Sequence, residues 1–352
     1  MESFRKEHYG NLPDGTEISQ FRLKNDNGMK IKVIEYGGII TELMAPDKNG
    51  IFEDVVLGHD SLEDYLESNY YLGALIGRYG NRISNAKFSL DDTEYQLHTN
   101  DGSNSLHGGD TGFHTRVWKG EEVSVVNGTA LKLSYLSSDD DEGFPGNLTI
   151  EVIYTLTNNN ALVIDYTATT DKKTIVNLTQ HSYFNLSGMK RDVLDHELFV
   201  NADRYVEISE GAIPTGKLVA VKDTPFDFKL AKVIGAEIDT NDPQLKLTGG
   251  YDHTLVLNKA GHELDVAAKL SDPTSGRVME VLTTEPGIQF YSGNALENKP
   301  QGKSGFPNNR RMGLCLECQH FPDSPNQPSF PSVVLNIDEK YRSTTVYRFS
   351  ME

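Results

Sequence analysis

Cysteine is scarce in this chain: Cys315 and Cys318 are the only two among 352 residues, and tryptophan occurs once. Two thiols cannot supply a disulfide framework, and no second CxxC completes a four-ligand zinc site. Both stand in "RRMGLCLECQHF", which reads as a strand. Residues three apart in a strand point to opposite faces, so these read as ordinary reduced thiols rather than a redox or metal motif. Long apolar runs are missing as well; none approaches the ~20 residues of a membrane helix. The start, "MESFRKEHYGNLPDG", has no apolar h-region of a secretory signal, so a cytoplasmic location is expected. In that setting the glycosylation sequons at Asn127, Asn147, Asn177 and Asn185 carry no weight.

Basic residues are in deficit, 33 against 51 acidic, for a formal net charge of -18. Such a surface disfavours nucleic-acid backbones, which call for a cationic footprint, and suits a neutral ligand. Phosphate cradles are absent too: "GRYGNRI" (77–83) and "SLHGGD" (105–110) are not GxGxxG within a βαβ unit.

Helical patterning is equally thin, confined to 61–69 and a weaker stretch at 229–239. What fills the chain is short strand-like segments bounded by glycine and asparagine. "AKFSLDDTEYQLHTN" (86–100) reads as a hairpin about Asp91-Asp92, and "NLTIEVIYTLT" (147–157) and "ALVIDYTATT" (161–170) are split by "NNN", a run tolerant of φ > 0. "KTIVNLTQHSYFNL" (173–186), "DHTLVLN" (252–258) and "GLCLECQHF" (313–321) continue the series. Many short strands at 8–12-residue spacing predict an all-β fold, a large antiparallel β-sandwich with few short helices. No repeat, low-complexity linker or boundary divides it, so 1–352 is expected to be a single domain. The acidic run "SSDDDEGFPGN" (137–147) reads as a solvated turn.

Against that background a few residues stand out. His181 lies in "NLTQHSYFNLSG", inside an expected strand where it shares a face with Thr179 and Tyr183. Glu317 sits between Leu316 and Cys318, and a charged residue in an apolar strand is rarely buried unless paired or used. A salt bridge would explain it; so would a general base, since desolvation raises a carboxyl pKa toward useful values. Asn81 and Arg82 offer several donors beside permissive glycines, and His107 precedes a double glycine. Asp252 opens a strand in "GGYDHTLVL", and Gln289 stands among aromatics in "EPGIQFYSGN". Amide, carboxylate and imidazole groups near aromatic rings are the composition of a sugar site.

Taken in order, "GRYGNRI", "LHGG", "GFPG", "QHSYFNLSG", "YDHTLVL", "EPGIQFYSGN" and "LECQHFPDSPN" closely resemble the aldose 1-epimerases, also called galactose mutarotases. The resemblance runs from near residue 30 to the C-terminal strand. It implies the mutarotase-like supersandwich with an open sugar cleft, and no metal or organic cofactor. By resemblance the general base falls on Glu317, the general acid on His181, and hydroxyl binding on Asn81, Arg82, His107, Asp252 and Gln289. Tyr79 and Gly80 replace the Val-Ala common in the family at that point.

The expected activity is interconversion of the α and β anomers of free hexoses such as galactose and glucose by acid–base ring opening and closure. Histidine suits this work because its pKa of ~6.5 lets it give and regain a proton near neutrality. Three alternatives are weighed. A hexose-6-phosphate 1-epimerase would use the Arg78–Arg82 cluster for phosphate. A glycoside hydrolase would pair Glu317 with Asp252. A non-catalytic sugar-binding sandwich would bind without turnover. The expected partner is a small sugar, with neither nucleic acid nor membrane, and the chain itself a monomer or weak homodimer.

Overall fold

A computed structural model describes residues 2–352. Its largest element is a nine-stranded antiparallel sheet that contains the hairpin of Leu148–Thr157 and Ala161–Thr170. In the first of these strands Leu148, Ile150, Val152, Tyr154 and Leu156 are all buried, while the residues between them are exposed or half-buried. The period of two puts one apolar row on the inner face. Leu162, Ile164, Tyr166 and Ala168 repeat the pattern in the partner strand, and the "NNN" turn lets Asn160 adopt a φ of 58°.

Two five-stranded sheets join this one. The first runs from Phe4–Asn11 to Phe52–Asp54 in chain order; the second is ordered Pro214–Ala220, Ala202–Ile208, Asp252–Leu257, Gly287–Tyr291, Cys315–Gln319. The main apolar core draws residues from Phe21 to Phe349, so all three sheets share it. Fully burying side chains of this size is worth about 1.5–3 kcal/mol each before the entropy of ordering is set against it. The strands pair antiparallel throughout the sheets, and α-helix is limited, among the described residues, to Leu62–Glu67 and Pro243–Thr248. The all-β antiparallel sandwich expected from the strand spacing is the observed fold. No helix among the described residues is long and apolar enough to cross a membrane.

Local departures have identifiable causes. The helix expected over 229–239 is replaced by the two-residue strand Lys232–Val233 and a 3-10 turn. The amides of Ile234 and Gly235 donate to the carbonyls of His196 and Leu194 instead of to their own turn. A short helix forms just after it, capped by Asp242, started by Pro243 and closed by Gly249 at a φ of 68°. Those three residues are a legible start-and-stop signal. The acidic run is not simply solvated: Glu142 is buried and accepts from the Thr111 amide at 3.0 Å, and Asp141 pairs with Arg116.

The segment carrying His181 also departs from expectation. Only Thr174–Ile175 and Thr179–Gln180 form strands, and His181 lies just past the second. Amide side chains interrupt the ladder by bonding to other loops. Asn177 donates to Gly80 O at 3.0 Å and accepts from the His320 amide at 2.9 Å, while Gln180 donates to Gly73 O at 2.8 Å.

Candidate active site

Three neighbouring strands of the second five-stranded sheet supply the acidic side of the site. Their register sets Thr254 opposite Gln289 and Gln289 opposite Glu317. Side chains opposite one another in a sheet share a face, and Asp252, two residues before Thr254, joins that face. The row is tied together: Thr254 Oγ1 donates to Gln289 Oε1 at 2.5 Å, and Gln289 Nε2 donates to Asp252 Oδ1 at 2.6 Å. Behind Glu317, the Tyr347 hydroxyl donates to Leu316 O at 3.1 Å and fastens this strand to the nine-stranded sheet. Glu317 is buried, and its Oε2 has no hydrogen-bond partner among the described residues.

His181 arrives from the other side on a backbone clamped in both directions. Its amide donates to Ala74 O at 2.9 Å and its carbonyl accepts from Gly73 N at 3.0 Å. The ring's Nε2 lies 3.6 Å from Glu317 Oε1, and Nδ1 lies 3.4 Å from Cys315 Sγ. Tyr71 stacks on the ring at 5.8 Å between centroids, and Tyr183 and His107 pack at 5.0 and 5.1 Å.

The third wall comes from the glycine-rich segments. Asn81 takes a φ of 67°, which turns its amide toward His107; that N–H donates to His107 Nδ1 at 3.1 Å. A ring nitrogen that accepts is unprotonated, so neutral His107 carries its proton on Nε2. The Asn81 Oδ1 accepts from the Arg82 amide at 2.8 Å, and Arg82 Nε donates to Asp101 Oδ2 at 2.7 Å. His107, His181 and Glu317 bring their ligand-type atoms within 4.8 Å of one another, close enough for one metal ion. The tautomer of His107 works against that use, because a metal at Nε2 would need the proton moved to Nδ1, against the Asn81 N–H.

Burial dominates the electrostatics. It raises the Glu317 carboxyl well above the usual carboxylate range, helped by the charge of Asp252 and opposed by Arg82. Burial lowers the His181 imidazole to about 4 and holds His107 well below its ordinary value. Asp252 is likewise raised by burial and drawn back by Arg82 and Gln289. Burial therefore favours a carboxylic acid at Glu317 facing a neutral imidazole at His181 over the ion pair. That state holds the same number of protons as carboxylate plus imidazolium, so the two interconvert by moving one proton.

These groups line an open cavity of about 470 Å³, with Asn81, Arg82, His107, His181, Asp252 and Glu317 all at its surface. Gln289 does not line it. Its side chain donates to Asp252 Oδ1 and accepts from Thr254 Oγ1. Arg78 also departs from its expected place beside Arg82: its guanidinium is buried against Pro145 O, Gly146 O and Ser137 Oγ, at 2.8, 2.9 and 2.6 Å. Sequence reasoning missed the aromatic wall of Tyr71, Tyr183 and Tyr291, along with Asp101 and Asn294. Tyr183 and Tyr291 were in motifs already quoted; Tyr71, at a φ of 55°, had no signal around it.

Fold and site together define a carbohydrate isomerase of the β-sandwich class. Residues 19–348 match the aldose 1-epimerase family. The chain is 41% identical over its whole length to the galactose mutarotase of Bos taurus, itself fully covered, and 40% identical to the aldose 1-epimerase of Escherichia coli K12, with 97% of each chain covered. Among solved structures, galactose 1-epimerase from Lactobacillus acidophilus superposes with a TM-score of 0.87 at 29% identity, covering 99% of this chain and 98% of that one. The chain belongs to the aldose 1-epimerase family.

Proposed function

We infer that the protein interconverts the α and β anomers of free aldohexoses, galactose and glucose among them, through an open-chain aldehyde, with Glu317 as general base and His181 as general acid. The observation that carries this reading is the 3.6 Å approach of His181 Nε2 to Glu317 Oε1 at the wall of a polar cavity. In the reactive arrangement Glu317 is a carboxylate and His181 an imidazolium. Glu317 takes the anomeric hydroxyl proton, and the O–H electron pair becomes the C1=O1 bond. The C1–O5 bond breaks, and O5 takes the Nε2 proton. Turning about C1–C2 presents the other aldehyde face, and the same transfers in reverse close the ring.

Ring opening leaves a carboxylic acid and a neutral imidazole, the pair that burial favours. The chemistry thus shuttles one proton between two residues and exchanges none with water. Each transfer is plausibly worth about 10²–10⁴-fold. His107 Nε2–H would donate to a sugar oxygen, and Asp252 and Arg82 would hold hydroxyls. Asn81 acts through the tautomer of His107 as well as at the cleft wall. The tyrosines would lie under the apolar C–H face of the ring.

The phosphate-specific alternative needs free cations. Arg82 is the one arginine lining the cavity among the described residues and is committed to Asp101, while Arg78 is turned into the core. A hydrolase using Glu317 with Asp252 would leave His181 without work. We also take residues 1–352 as one domain, on the ground that the main core draws on all three sheets. Polarimetry on freshly dissolved α-galactose, α-glucose and their 6-phosphates tests the reading. The free sugars should reach anomeric equilibrium far faster with protein than without. Acceleration of the phosphates alone, or binding with no acceleration, would overturn it.

A further inference from the structure

The geometry points to Cys315 as a positioning residue for His181: its sulfur accepts the hydrogen on Nδ1, which leaves Nε2 as the nitrogen that exchanges protons with the cleft. This inference rests on the Glu317–His181 reading above and adds a third residue to it. Cys315 is fully buried and shares a strand face with Glu317, two residues on. Its Sγ is 3.4 Å from Nδ1, the hydrogen-bond partner of that atom among the described residues.

The direction of the bond follows from counting protons. When ring opening has left Glu317 a carboxylic acid, His181 has given its Nε2 proton to O5, so the ring's single hydrogen is on Nδ1. When Glu317 is a carboxylate, His181 is an imidazolium and Nδ1 again carries hydrogen. In both states Nδ1 is a donor, and Sγ is the atom beside it. The thiol itself stays protonated, since burial and the nearby carboxyls of Glu317 and Asp252 push it well above its ordinary range. An S–H left unpaired costs little because it is a weak donor.

Sulfur also suits the task by being a poor acceptor. Elsewhere in this chain His320 Nδ1 meets Glu285 Oε2 at 2.6 Å; in general a carboxylate beside a ring nitrogen gives charge support that a thiol does not. A thiol fixes the same tautomer without that support, which keeps His181 a ready proton donor. The other titratable groups around the ring are Glu317 on the strand of Cys315, Tyr71, His107, His114 and Tyr183. Burial holds His107 and His114 neutral.

The test uses full-length protein labelled with 15N-histidine, wild type, C315S and C315A. Long-range 1H–15N spectra at neutral pH should show His181 with hydrogen on Nδ1 in the wild type and C315S, and with hydrogen on Nε2 or an even mixture in C315A. Turnover of α-galactose should fall roughly 10- to 100-fold in C315A with KM little changed, and C315S should recover most of it. The acid limb of the C315S rate profile should move to higher pH, because oxygen accepts better than sulfur. A wild-type ring protonated on Nε2 would overturn the proposal, as would C315A with unaltered turnover and pH profile. Should C315A fail to fold, the wild-type tautomer and the C315S pH shift decide alone. The spectra need no activity, so an E317Q variant that still turns over would sink the catalytic reading and leave the tautomer result standing.

Discussion

His181 Nε2 and Glu317 Oε1 stand 3.6 Å apart, just beyond a hydrogen bond, with both side chains buried. The two groups come from segments more than a hundred residues apart, and among the described residues neither has a hydrogen-bond partner at those atoms. A gap of this size lets both turn toward a third molecule rather than lock onto each other. Their joint requirement is to hold one proton between them.

From that requirement E317Q and H181N should each lower kcat by about 10²–10⁴-fold with KM changed only a few-fold. The wild-type kcat should be flat through neutrality. It should fall on the acid side as His181, at about 4, and Glu317 both hold protons, and on the alkaline side once the raised Glu317 has lost its proton without an imidazolium opposite. Apparent values on the two limbs belong to the pair. Stopped-flow polarimetry from pH 4 to 10 checks this, and near-normal turnover in either variant would refute the assignment.

The hydrogen bond from Gln289 to Asp252 makes a separable prediction. If Gln289 works by holding that carboxylate through the 2.6 Å bond, Q289A should raise KM about tenfold and leave kcat within a few-fold, since a hydrogen bond to a charged group is worth about 1.5–3 kcal/mol. The decisive measurement is a double-mutant cycle: Q289A/D252A should cost no more than D252A alone. Additive losses would mean that Gln289 meets the sugar directly.

Much of this was legible in the sequence, and the unread part has a physical pattern. Alternation in 148–157 and 161–170 gave away the sheet because one face is buried along its whole length. Glu317 announced itself as a charge in an apolar strand. The strand expected around His181 failed because Asn177, Gln180 and Asn185 spend their amides on distant loops, a long-range choice that period-two patterning does not record. Gln289 and Arg78 look like ligand-binding residues by type. Only cross-strand register shows that Gln289 reaches Asp252, and only the carbonyls gathered at 137–146 draw Arg78 into the core.

Buried histidines outside the catalytic pair should make the fold acid-sensitive. Burial lowers His196 to about 4 and His253 to about 3, and holds His107 well below its ordinary value. Below the ordinary value of 6.5 the unfolded chain protonates these rings while the folded chain does not. The unfolded state then binds more protons, so stability falls as pH drops from about 6.5 toward about 4, at up to about 1.4 kcal/mol per pH unit for each histidine. Asp54 and Asp252, raised by burial, act in the opposite sense over part of that window. Glu317 and His181 nearly cancel, because the folded pair and the unfolded residues each hold one proton there. Thermal melts should therefore show Tm dropping between pH 7 and pH 5. The loss should be smaller in H253Q, whose residue 253 no longer titrates. A wild-type Tm that is level or higher at pH 5 would show that the raised carboxyls, not the neutral histidines, govern the acid response.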